Sequence, residues 1–357
     1  MNFKKYIVLI FLFSNLFSFS QGLKFNKDSF LLTPKFEMTR GTVYSSYSLE
    51  KYAPTSYPQI GGTCVAHSFC NARTILMNLE LGRTTNVNAY SFSPFHFYFE
   101  ASDGASDNCE DGLNITHAAN VALNEGFALL GDVEYSSYYP YTMTFRCEYT
   151  YPDYYTNAQY AKKYKPDNIY RIENVRDLKS ALCENMPVVI GMGIPSSFKD
   201  ITYQHVWTPS YYDSYKNASL HAMLAVGYDD YYLGGAVRIL NSWGQDWGDD
   251  GYIWIKYQHF ANWFTGGFAV EKYTSTRGSD NIASKEDILK SYLIEKNDEN
   301  KYGYLENLLK QKNIIGSDTS DANISSSDSL QLIKSIDGFP DRKHNPDVMK
   351  RAFGIKE

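Results

Sequence analysis

From residue 65 onward apolar side chains recur at helical spacing, with Val65, Phe69, Ala72, Leu76 and Leu79 falling on one face. Gly82 sits where a helix C-terminus favours a left-handed residue, and Thr63 stands where it can cap the N-terminus. The turn Gly61-Gly62-Thr63 therefore delivers Cys64 to the first turn of a helix. Ser93-Pro94 opens a second helical segment through Phe99, and Ala118 to Glu125 reads as a third, ended by Gly126. Asn174, with Asp177 completing a box-like start, caps a fourth over Val175, Leu178 and Ala181, which Pro187 stops. The period then changes. Val188 to Ile194 has the composition of a buried strand, and Ala222 to Tyr228, Ala236 to Leu240 and Tyr252 to Tyr257 follow as strands. In the last of these Ile253 and Ile255 share one side. Helices early and strands late predict an α+β chain with two lobes.

The ends read differently. Lys4-Lys5 followed by the nearly unbroken apolar run from Tyr6 to Phe19, with small Ser18 and Ser20, has the form of a signal peptide over residues 1–20, cut at Ser20–Gln21. The apolar run is too short for a membrane span, so the reading is a secreted or periplasmic protein with no stable membrane insertion once the signal is removed. Residues 21–50 read as an extended arm or short leader, 51–275 as the main domain and 276–357 as a charged, partly helical appendage rich in Asn and Ser. The net charge of -6 comes with no Lys/Arg run, so nucleic acid is not an expected partner.

Export permits disulfides, and the five cysteines, Cys64, Cys70, Cys109, Cys147 and Cys183, leave at least one thiol unpaired. Cys64 has the best setting for it. The positive end of a helix dipole lowers a thiol pKa and favours the nucleophilic thiolate. Such a nucleophile needs a basic partner, and that partner an orienter. His221 opens an apolar strand, and the next strand ends in Asn241-Ser242-Trp243-Gly244. A hairpin of the two strands brings His221 and Asn241 to the same end, where Asn241 can hold the imidazole and Trp243 can shield that bond from water.

These blocks resemble the papain-like cysteine peptidases. Cys64-Val65-Ala66-His67-Ser68-Phe69 looks like the family's cysteine helix, His221 and the run after it like its histidine strand, and Asn241-Ser242-Trp243-Gly244 with Trp247-Gly248 and Gly251-Tyr252-Ile253 like its asparagine motif. Cys109-Glu110-Asp111-Gly112 and Tyr139-Pro140-Tyr141 sit between them in the family's order, and the likeness spans Tyr52 to Lys272. It implies a papain-like two-lobed fold: a helical N-terminal lobe carrying the cysteine helix, and a C-terminal lobe built on a barrel-like antiparallel sheet. It implies a secreted peptidase acting on peptide or protein substrates through a Cys64 thiolate–His221 imidazolium pair and a thioester, with no cofactor and no metal. Pro58 stands where the family has its oxyanion glutamine, and the resemblance carries that role to the adjacent Gln59, beside the Cys64 backbone amide. It also places Cys109 and Cys147 in one lobe as a disulfide. Gly61 replaces a family cysteine, Val65 replaces a tryptophan, and no long inhibitory leader precedes the domain.

The alternatives are a catalytically silent peptide- or protein-binding relative, and a thiol acyltransferase. His67, one turn after Cys64, reads as a packing residue, as do the buried-type Cys70 and Cys183. His96, His117, His205 and His259 read as structural or surface histidines. Cys64-x-x-His67 lacks the second ligand pair that a closed metal site needs. Serine-hydrolase elbows, His-Glu-x-x-His and phosphate loops are absent from the sequence.

Overall fold

The computed structural model describes residues 22–38, 42–102, 109–130 and 160–272. The first described elements are β1 (Leu23–Lys24), α1 (Lys27–Leu32) and β2 (Ser46–Ser48). The helical lobe follows as α2 (Cys64–Glu80), α3 (Pro94–Ala101), the short β3 (Leu113–Asn114) and α4 (Ile115–Asn124). The second lobe comprises β4 (Asn168–Ile172), α5 (Val175–Cys183), β5 (Val188–Ile194), α6 (Ser196–Lys199), β6 (Val206–Trp207), β7 (Ser219–Asp229), β8 (Ala236–Leu240), β9 (Tyr252–Lys256), α7 (Tyr257–Trp263) and β10 (Phe264–Glu271). The expected signal peptide and the appendage after 275 lie outside the described residues, as do Tyr139-Pro140-Tyr141 and Cys147.

Local chemistry fixes most helix starts. Ser93 accepts a hydrogen bond from the His96 amide with Pro94 in the first turn, Asn114 accepts from the Thr116 and His117 amides, and Asn174 accepts from the Asp177 amide. Thr63 departs from expectation: its hydroxyl donates to the Ile60 carbonyl at 2.8 Å and does not cap α2. Gly82 has φ 59°, the left-handed value that its place after α2 requires.

Helix α2 runs between the lobes and is buried on nearly every side, from Cys64 through Asn78. Two of its polar side chains hold partners along the chain. Arg73 pairs with Glu80 at 2.9 Å and donates to the Tyr164 carbonyl, and Asn78 donates to the carbonyls of Tyr52 and Val87.

Among the described residues the main sheet has eight strands in the order β4-β10-β5-β7-β8-β9-β6, with β2 added to β7. All of β5 is buried, which accounts for its unbroken apolar run. The expected barrel-like closure is not found: the sheet is open and partly mixed. Closure would need the two end strands to pair. The outer edge of β4 is taken instead by the arm, through Arg171 N–H to Pro34 O at 2.9 Å and Phe36 N–H to Arg171 O at 3.1 Å. At the other end β6 has two residues and runs parallel to β9.

Candidate active site

Strands β5, β7 and β8 and the head of α2 converge on one point. In β7, His221 faces Met192 of β5 in register, and β8 delivers Asn241 just past its last residue. The sequence-predicted residues His221 and Asn241 lie together: His221 Nε2 donates to Asn241 Oδ1 at 2.8 Å. That oxygen also accepts from the Ser242 amide, which fixes the orientation of the carboxamide. An amide oxygen can only accept, so the network assigns the imidazole proton to Nε2 and leaves the Nδ1 lone pair as the base. The Trp243 ring stacks on the imidazole at 4.7 Å and 29°, excluding water from the bond.

Cys64 is the first residue of α2, and its side chain is fully buried. Its sulfur lies within hydrogen-bonding range of the backbone of Ala222, the residue after His221, and of Gly22, Val65 and its own amide. Burial pushes the thiol up to about 11, and those backbone groups pull it back only in part. Burial likewise lowers His221 to about 4, the Asn241 hydrogen bond opposing this and the Lys199 charge adding to it. In this conformation burial disfavours the charged form of both groups and so opposes the thiolate–imidazolium pair that the sequence reading expects. Desolvation of a buried sulfur works against the helix dipole.

The arm packs beside the sulfur, on the glycine turn that leads into α2. Gly22 accepts from the Leu113 amide at 2.7 Å, and β1 pairs in parallel with β3. A Cβ on Gly22 would stand 1.9 Å from the Gly62 carbonyl oxygen, and one on Gly112 would stand 2.3 Å from the Gly22 oxygen, so backbone meets backbone on both sides. Leu23 is 6% exposed and fills a space over Gly191, where a side chain would collide with it. Further along, Phe30 packs on Phe25 and Phe268, and Arg171 donates to the Leu31 and Thr33 carbonyls. The sequence reading left this stretch as an arm or leader without a location. Its one local signal is a glycine directly before an apolar residue.

Gln59 is tied to the asparagine turn. Its backbone amide donates to Ser242 O at 2.7 Å, and its Oε1 accepts from Ser242 Oγ at 2.8 Å. Its Nε2 donates to Gly61 O at 2.9 Å, so one amide hydrogen is engaged beside the cysteine turn.

Elsewhere, His67 packs edge-on against Phe95 of α3, with Nδ1 on Thr63. His96 is buried, His117 exposed, and His205 pairs with Asp249 at 3.1 Å on the surface. Cys64, Cys70 and Cys183 carry free thiols; Cys109 is not among them. Among the described residues no three His, Cys, Asp or Glu side chains are grouped to hold a metal, and no helix is long and apolar enough to cross a membrane.

A family profile described as papain family cysteine protease matches residues 84–267, a span that contains His221 and Asn241 and begins after α2. Similar solved structures include xylellain, a cysteine protease from Xylella fastidiosa, at 20% identity and TM-score 0.53, covering 68% of this chain and 92% of that one. Procathepsin B S9 from Trypanosoma congolense is similar at 18% identity and TM-score 0.53, covering 71% and 87%. Digestive procathepsin L 3 of Tenebrio molitor larval midgut is similar at 18% identity and TM-score 0.52, covering 68% and 74%. No curated protein matches the chain.

Proposed function

Because the chain belongs to the papain family of cysteine proteases, we propose that it hydrolyses peptide bonds with Cys64 as nucleophile, His221 as base and Asn241 as the residue that orients the imidazole. The observation that carries this reading is the His221–Asn241 hydrogen bond under Trp243, with the Cys64 sulfur against the amide of the residue after His221. Once the arm yields and the sulfur regains polar surroundings, the thiol proton passes to His221 Nδ1. The thiolate attacks the carbonyl carbon, and the oxyanion is held by the Cys64 amide with the Gln59 carboxamide, each donor being worth roughly 3 kcal/mol in the transition state. His221 returns the proton to the leaving amine and then activates water to cleave the thioester.

The mature protein in this reading is exported and starts at Gln21, with Cys109 and Cys147 joined. Intact masses with and without reductant, after alkylation, test the start and the disulfide. The reading as a whole is tested by incubating purified protein with a peptide library and sequencing the products, in parallel with Cys64→Ala. Cleavage by the parent and none by the variant is the expected result. The silent-binder reading draws on two observations, the arm packed against Gly62 beside Cys64 and the Gln59 amide engaged by Gly61 O. It predicts peptide binding without product. The acyltransferase reading predicts that an added amine captures most of the acyl group from a peptide ester, where a hydrolase gives mainly acid.

A further inference from the structure

Helix α6 ends in Lys199, the residue after the one that packs on the ring covering His221. Phe198 is its anchor, buried against Trp207 at 5.1 Å, Trp247 at 5.2 Å and Trp243 at 5.9 Å, the last being the ring that stacks on His221. The preceding residue is fixed as well: Ser197 Oγ accepts from Trp207 Nε1 at 3.1 Å and donates to the Asp213 carboxylate. Asp213 is further occupied by the Ser210 amide. Lys199, next in the chain, is half-buried and close enough for its charge to act on His221. Among the described residues it has no carboxylate within ion-pairing distance, unlike Lys35, Lys162, Lys179 and Lys272.

Chemistry tells on which side of the cut this charge lies. Gly22 and Leu23 occupy the side of Cys64 bounded by Gly62, Gly112 and Gly191. His221 and Trp243 form the stacked pair that Phe198 packs on. The proton that frees the amine comes from His221, so the departing chain passes on the histidine side, toward Lys199. A lone cation there also opposes the imidazolium that the reaction must form, and a substrate anion would remove that opposition.

We propose that Lys199 is a specificity residue that selects substrates bearing a carboxylate on the leaving-group side, within the first two residues after the cut bond. The carboxylate can be an Asp or Glu side chain or the free C-terminus of a short leaving segment. This rests on the hydrolytic reading above.

The test uses matched peptides with one acyl half: Glu against Gln after the cut bond, and a leaving dipeptide with a free against an amidated C-terminus. Rates are normalised to a peptidyl arylamide with an uncharged leaving group. They are measured for the full chain, Lys199→Met and Lys199→Glu, with and without Leu23→Asp to loosen the arm. The parent is expected to favour the carboxylate of each pair by about fivefold in kcat/KM, the scale of a half-exposed ion pair. Lys199→Met should remove the preference and Lys199→Glu should reverse it. Preference within one pair alone would assign the carboxylate to the side chain or to the terminus. A parent ratio near one, or ratios that the two variants leave unchanged while the arylamide is cleaved, would overturn the inference. Failure to cleave the arylamide as well would overturn the hydrolytic reading beneath it.

Discussion

The Asn241 side chain accepts the Nε2 proton of a buried imidazole. Asn241→Ala leaves that proton without an acceptor, at a cost of about 1–3 kcal/mol. The expected result is a fall in kcat of roughly 5- to 150-fold with KM little changed, since the bond orients the base and does not touch substrate. Steady-state kinetics on a fluorogenic peptide would show it, and an unaltered kcat would remove Asn241 from the mechanism. Histidines set the acid limit of the fold. Burial lowers His67, His96 and His221 from 6.5 to about 4 in the folded chain. Between those values the unfolded chain binds protons that the folded chain refuses, so stability is lost as pH falls from about 6.5 to about 4. The full effect is on the order of 3 kcal/mol per histidine. Thermal melts across that window should show a steep drop in Tm, and a flat profile would contradict the burial of these rings.

Among elements, the arm makes the sharpest claim. Leu23→Asp puts a charge into the apolar space over Gly191, and its desolvation drives β1 off β3. Alkylation of Cys64 by iodoacetamide at pH 7 is then expected to speed up at least tenfold, because a re-solvated sulfur loses the burial that holds its pKa near 11. Equal rates in parent and variant would mean that the arm does not guard the thiol. The arm also marks where legibility ends. Helix α2, the Asn174-capped α5 and strands β5 and β7 to β9 were readable because periodicity, caps and apolar runs are local. So was the meeting of His221 and Asn241, which follows from two adjacent strands. The arm's contacts are tertiary: nothing near Gly22 announces Gly62 and Gly112, which lie far along the chain. The open sheet was unreadable for the same reason, since residues 34–36 decide it by covering β4. The Thr63 hydroxyl and the burial of Cys64 and His221 depended on which neighbours packed closest, which composition does not reveal.

At the scale of the molecule, the described core closes without the appendage. Strand β10 ends the main sheet at Glu271, and Lys272 ties to Asp167 at 2.9 Å. A chain ended after Lys272 is therefore expected to keep its Tm within about 2 °C. Unfolding of that shortened chain, followed by circular dichroism, would show that the appendage belongs to the domain. The central claim, that Cys64 is the nucleophile, is tested most directly by a thiol-directed active-site inhibitor, with the modified residue identified by peptide mass and the activity followed in step. The account predicts one label per chain, on Cys64, with activity lost in proportion to labelling, and neither label nor activity in Cys64→Ala. Peptide cleavage that persists with Cys64 fully labelled, or in Cys64→Ala, would contradict it.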